Sequence, residues 1–156
     1  MSQISDRLAD LGISLPAVSA PAGAYIPALV SGNLVFTAGQ LPFVDGVLSQ
    51  TGKVGEGPSL VSPSVAKEFA QIAALNALAA VESVLGSLDR VTRVVKVTGF
   101  VASDPSFTGQ PGVINGASEF LADVFGDRGV HARSAVGVAV LPLDSPVEVE
   151  LIVEFE

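Results

Sequence analysis

Cysteine and tryptophan are missing from this 156-residue chain, and histidine, tyrosine and methionine occur once each. Without cysteine there is no disulfide framework, no thiolate ligand and no thiol nucleophile, which fits a cytoplasmic location. One histidine cannot build a multi-histidine zinc site, and no Asp-rich loop has calcium spacing, so no metal is expected. Positive charge is scarce, with 8 Lys and Arg against 16 Asp and Glu and a formal net charge of −8. Binding a phosphate backbone needs a basic stripe that releases counterions, so no nucleic-acid partner is expected. No run reaches 18 consecutive apolar residues, which argues against a membrane span. The opening "MSQISDRLADLG" carries two Asp and no apolar core, so it does not read as a secretory signal.

What is present is apolar. Hydrophobic residues make up 49% of the chain, charged residues only 15%, and the mean hydropathy is +0.56. That is enough to bury one core, and residues 1–156 read as a single domain with an N-terminal helix and connector over 1–23. So little charge on so small a chain also predicts apolar surface buried between subunits.

Ile4, Leu8 and Leu11 give a short helix over 2–11 its apolar stripe, and Gly12 stops it. Pro16 and Pro21 keep the connector 13–23 extended. Residues 24–42 read as two strands around Ser31-Gly32-Asn33, and Asp45-Gly46 marks another tight turn. Ser62 and Pro63 cap a helix running to about Leu85, with Phe69, Ile72, Leu75 and Ala79 on one face and alanines elsewhere that allow close packing. Residues 90–103 alternate as a strand, Val91, Arg93, Val95, Val97 and Gly99 against Thr92, Val94, Lys96, Thr98 and Phe100. A helix from about Pro111 to Phe125 and strands over 133–141 and 147–155 complete the order. The sum is an α+β fold, a mixed sheet with two helices packed on one face.

The last two strands carry the chemistry. Along 133–141, Arg133, Ala135, Gly137 and Ala139 share one face and Ser134, Val136, Val138 and Val140 the other. The valine face reads as core, which leaves the guanidinium among small residues. Arg133 then either pairs with a strand glutamate or forks onto a ligand carboxylate. Glu148, Glu150 and Glu154 alternate with Val147, Val149, Leu151 and Val153 and read as the solvated face. His131 reads as a loop histidine, Tyr25 as a half-buried aromatic and Asn115 as a polar helix residue.

The segment "HARSAVGVAVLPLDSPVEVE" resembles the C-terminal signature of the RidA family (reactive intermediate deaminase, also called YjgF): Ala-Arg-Ser, Leu-Pro, then apolar-Glu-apolar. "GAYIPALVSGNLVFTAGQLP" is similar to the family's N-terminal segment, and "GQPGVINGASEF" to the segment bearing its site asparagine. "LADLGISLP" and "NGASEFLADVFG" further resemble a branch with an N-terminal helical extension. The resemblance implies a chorismate-mutase-like fold, a homotrimer, and hydrolysis of 2-imino acids and their enamine tautomers to 2-oxo acids and ammonia, with no cofactor. It assigns Arg133 to the substrate carboxylate, assisted by the Gly39 backbone, and Glu148 to the attacking water. Tyr25, Asn115 and Ala135 would line the pocket. An imine is already electrophilic, so orientation, a placed water and proton transfer suffice.

Ala38 stands where many of these deaminases have Ser, Ala135 where they often have Cys, and Gly137 where a larger side chain is common; a roomier site is expected. A non-catalytic protein that senses a small carboxylate through Arg133 is the alternative. If the last two strands form a hairpin turning near Asp144, Arg133 and Glu148 lie roughly 20 Å apart along it. A second subunit would then have to complete the site.

Overall fold

The computed structural model describes residues 3–156. Its elements run α1 (Gln3–Asp10), β1 (Ala28–Ser31), β2 (Leu34–Thr37), α2 (Pro63–Leu85), β3 (Val91–Ala102), α3 (Gln110–Phe125), β4 (Ala132–Val138) and β5 (Val147–Phe155). The sheet order is β1-β2-β5-β3-β4, all neighbours antiparallel except the parallel pair β3/β4. A parallel pair needs a crossover, and α3 supplies it.

The helix signals act as their residues dictate. The Ser62 hydroxyl accepts from the Val65 amide, Pro63 follows, and Gly86 at φ 81° closes α2 by donating to the Glu82 carbonyl. The buried side of α2 follows the expected face only in part, through Phe69 and Ala79. That side is mostly alanine, with Ala66, Ala70, Ala73, Ala74, Ala77 and Ala80 inaccessible, while Ile72 and Leu75 are only half-buried. Small side chains let the backbones approach, and the closest point is Gly116 of α3. A Cβ there would stand 1.9 Å from the Lys67 carbonyl oxygen of α2. Backbone cannot step aside cheaply, so Gly116→Ala should destabilise the fold by about 3 kcal/mol. Urea unfolding checks this, and an unchanged midpoint would remove the close helix contact from the account.

By length and composition α2 could cross a membrane, but 61% of its most apolar window is buried inside the fold, as in the core helix of a globular protein. α1 is tethered elsewhere, to the segment just before β3 and to the end of α3. Ile4 and Leu8 are buried, the Ile4 amide donates to Asp89 Oδ1 at 2.8 Å, and Arg7 Nε donates to the Asp123 carbonyl at 2.7 Å. The expected helical position 2 lies outside the described residues.

Three strand expectations change. First, β3 does not alternate throughout. Register irregularities against β5 between Val91/Arg93 and Val94/Lys96 re-phase it, so Val91, Val94, Val97, Gly99 and Val101 face the helices and Val95 does not. Second, β4 and β5 do not form a hairpin, because both pair with β3, on opposite sides of it. Third, the faces of β4 are the reverse of the expected ones. Val97, Gly99 and Val101 of β3 sit opposite Arg133, Ala135 and Gly137, so the arginine face turns toward α3. The valine face opens outward, where Val136 is 44% exposed. Alternation located the two faces; only the parallel register says which one is covered.

Candidate functional site

Between Phe36↔Ile152 and Gln40↔Val149, β2 and its extension use one residue more than β5. The Thr37 hydroxyl covers the gap by accepting from the Leu151 amide at 2.9 Å. The result is a bulge that lifts Ala38 and Gly39 off the sheet. The amides on either side are bonded, Ala38 to the Pro27 carbonyl and Gln40 to the Val149 carbonyl. That of Gly39 donates to no group among the described residues.

Only glycine fits at position 39. A Cβ there would fall 1.9 Å from Glu148 Oε1, so the carboxylate lies directly over the bulge. Glu148 projects from the face of β5 opposite Val147 and Val149, which are core. It is half-buried. Burial first, and the neighbouring Glu150 second, push its carboxyl above the ordinary value. Around it lies a cavity of about 600 Å³ whose apolar walls include Ala20, Ala22, Tyr25, Leu41, Phe43 and Leu143. The connector closes one side, held there by the Ala22 amide donating to the Tyr25 hydroxyl at 3.1 Å. Buried Asn76 of α2 holds another by donating from Nδ2 to the Leu41 and Phe43 carbonyls, at 2.9 and 3.1 Å.

Arg133 belongs to a different group, on the helix side of the sheet. Nη1 donates to Asn115 Oδ1 at 2.7 Å and to Ser118 Oγ at 3.2 Å, and Nη2 to the Pro111 carbonyl at 3.3 Å. None of these partners is a carboxylate, so the guanidinium is not in a strand ion pair. Of its five N–H donors, Nε–H and one on Nη2 remain, enough for two ligand oxygens. Asn115 is thus a direct neighbour of Arg133. Ala135 follows on the same face, half-buried against the core. Gly137 adds no room, contrary to expectation. A Cβ there would meet Gln110 Nε2 at 2.9 Å and Ser103 Oγ at 3.1 Å, because those side chains already fill the space.

The structure therefore sorts the expected residues into two sets. Tyr25, Gly39 and Glu148 share one cavity, whereas Asn115, Arg133 and Ala135 stand together elsewhere. β3 runs between them, with Val97 opposite Arg133 and Phe100 opposite Glu148. Three residues along and two strands across separate their α-carbons by roughly 14 Å, in place of the 20 Å of a hairpin. The side chains also leave opposite faces. No small molecule touches both within one chain.

Two residues join the second set that the sequence did not single out for it. Ser118 and His131 border a shallow cavity of about 360 Å³ together with Arg133. Ser118 had a faint signal, its spacing of three from Asn115 on one helix face. Among the described residues, no three His, Asp or Glu lie close enough together to hold a metal ion.

The family described as "YjgF/chorismate mutase-like, putative endoribonuclease" matches residues 5–155. Protein TCP17 of Trypanosoma cruzi is 44% identical over 153 residues, 97% of this chain and 94% of that one. A 2-iminobutanoate/2-iminopropanoate deaminase of Dermatophagoides farinae is 34% identical over 144 residues, 92% of this chain and 95% of that one. Among solved structures, a protein of unknown function from Agrobacterium tumefaciens superposes with a TM-score of 0.90 at 44% identity, over 99% of this chain and 93% of that one.

Proposed function

The chain belongs to the YjgF/chorismate mutase-like family, and from that membership we propose that it hydrolyses 2-imino acids and their enamine tautomers to 2-oxo acids and ammonia, in clefts that two subunits of a homotrimer complete together. The observation that carries this reading is the division of the site. A carboxylate anchor and a proton-transfer group lie in one chain, on opposite faces of its sheet, too far apart to share a small substrate. A neighbouring copy supplies the missing half to each.

A surface for that neighbour exists. Among the described residues no helix covers the sheet face that carries Glu148, and Leu29 at 55% exposure, Phe36 at 39% and Val136 at 44% lie on it. Apolar side chains spread across β1, β2 and β4 favour burial against another subunit.

In the assembled cleft, Arg133 and the free Gly39 amide hold the substrate carboxylate from two sides. Glu148 takes a proton from water as the oxygen adds to the imine carbon and passes it to the imine nitrogen, which gives a neutral carbinolamine. Glu148 then takes the carbinolamine hydroxyl proton and delivers it to the amino nitrogen as the C–N bond breaks, releasing ammonia and the 2-oxo acid. A carboxyl raised toward the working pH serves both proton transfers better than an ordinary one. The apolar cavity beside Glu148 suits a side chain larger than methyl. The endoribonuclease in the family's description is not part of this reading, since a net charge of −8 offers no basic track.

The test is a competition. Imino acids are generated from several amino acids by an amino-acid oxidase in the presence of semicarbazide, and semicarbazone formation is followed. The protein should suppress it at catalytic concentrations, more strongly for the leucine- and methionine-derived imines than for the alanine-derived one. Unchanged semicarbazone yield with every imine would leave the carboxylate-sensing protein as the better account.

A further inference from the structure

We propose that Ser118 and His131 are positioning residues for Arg133, a directional hydrogen-bond chain that turns the free edge of its guanidinium to a ligand carboxylate. The proposal rests on the reading of Arg133 as the substrate anchor and adds residues that reading does not use.

The direction of the chain follows from which atoms can donate. His131 Nδ1 lies 2.6 Å from the Gly129 carbonyl, which only accepts, so the proton is on Nδ1. In the neutral ring Nε2 is then an acceptor. It lies 2.8 Å from Ser118 Oγ, whose single proton it receives. The serine oxygen is left with lone pairs alone for its remaining neighbour, and Arg133 Nη1 donates to it at 3.2 Å. Asn115 Oδ1 takes the other Nη1 hydrogen and the Pro111 carbonyl one on Nη2. Each acceptor fixes one edge of a planar group, so the plane cannot rotate and the free donors face one direction. The arginine comes from β4, the serine and asparagine from α3, and the histidine from the segment between them. The chain thus locks a strand side chain to the helix that crosses over it.

A serine hydroxyl within reach of an oriented histidine also matches a nucleophile with its base. Here the guanidinium donates to that oxygen and draws electron density from it, which favours positioning over attack. The two roles separate experimentally.

The experiment measures 2-oxobutyrate affinity by calorimetry, in the wild type and in an Arg133→Lys background, where the planar fork is gone. In the wild type, Ser118→Ala and His131→Leu should each weaken binding about tenfold, as expected for loss of orientation at a two-oxygen contact. Ser118→Thr and His131→Gln, which keep a hydroxyl and an acceptor, should recover most of it. In the Arg133→Lys protein the same two substitutions should change affinity by less than about twofold, because a residue acting through another is non-additive with it. Equal losses in both backgrounds would assign Ser118 and His131 a general packing role and overturn the proposal. So would covalent labelling of Ser118 by diisopropyl fluorophosphate, which would make it a nucleophile. A wild type that does not bind 2-oxobutyrate removes the anchor reading itself, and this proposal with it.

Discussion

Glu148→Gln should lower kcat for imine hydrolysis by about 10²–10⁴-fold while KM stays within a few-fold, the mark of a group needed in the transition state. The amide keeps the size of the side chain over Gly39 and loses only the ability to take a proton. A sensing protein that used the same cavity would show little change in affinity and no turnover in either form. The wild-type pH profile carries a second mark. The carboxyl must be ionised to accept a proton from water, and burial raises its titration above the ordinary value of 4.5. Activity should therefore fall as pH drops through that raised value, and the acid limb should vanish in the Gln variant.

Stability should move the other way. The folded state holds this proton more tightly than the unfolded chain. The associated stability is fully present below the ordinary carboxyl value and is lost as pH rises through the raised one. An ionised Glu148 thus weakens the fold at neutral pH. Glu148→Gln should unfold at a higher denaturant concentration than wild type near pH 7 and lose that advantage in acid. A midpoint equal to wild type at both pH values would mean that the carboxyl is not held in the desolvated environment on which the mechanism depends.

Much of this site was legible in the residues, for physical reasons that differ from element to element. The strict alternation of β5 placed Glu148 opposite a valine and leucine face, and the structure keeps it there because no bulge interrupts β5 around that position. The Ser62-Pro63 start and Gly86 stop of α2 are local, so they needed no knowledge of the rest of the fold. What could not be read was set by partners distant in sequence. The parallel pairing of β3 with β4 decided which face of β4 met α3, and nothing within 132–138 reports on that. The bulge at Ala38-Gly39 depends on Thr37 and on β5, more than a hundred residues away. Tyr25 borders the cavity beside Glu148, and its hydroxyl is engaged by the connector, a contact only the folded N-terminal segment creates. His131 read as an ordinary loop residue because its meaning lies in Ser118, brought to it by the return of α3 to the sheet.

Mixing two dead proteins should restore activity. Arg133→Ala retains Glu148 and Gly39 but cannot hold a carboxylate; Glu148→Gln retains Arg133 and Asn115 but cannot move the proton. If each cleft takes its anchor from one subunit and its proton-transfer group from the next around a three-fold ring, every mixed trimer contains one junction where both wild-type residues meet. Random reassembly of equal amounts puts about three-quarters of trimers in the mixed state, so roughly one-quarter of all sites should be intact. The recovered kcat per chain should approach that fraction of wild type, against parents that are each lower by at least about a hundredfold. Dissociation in mild denaturant, mixing and refolding provide the sample, and native mass spectrometry of mass-tagged chains counts the mixed species. The geometry leaves no route to this recovery within one chain, because Arg133 and Glu148 leave opposite faces of the sheet with β3 between them. Mixed trimers that form in the expected proportion and remain as inactive as their parents would show that the two half-sites never meet. The carboxylate anchor and the raised carboxyl would then belong to separate functions.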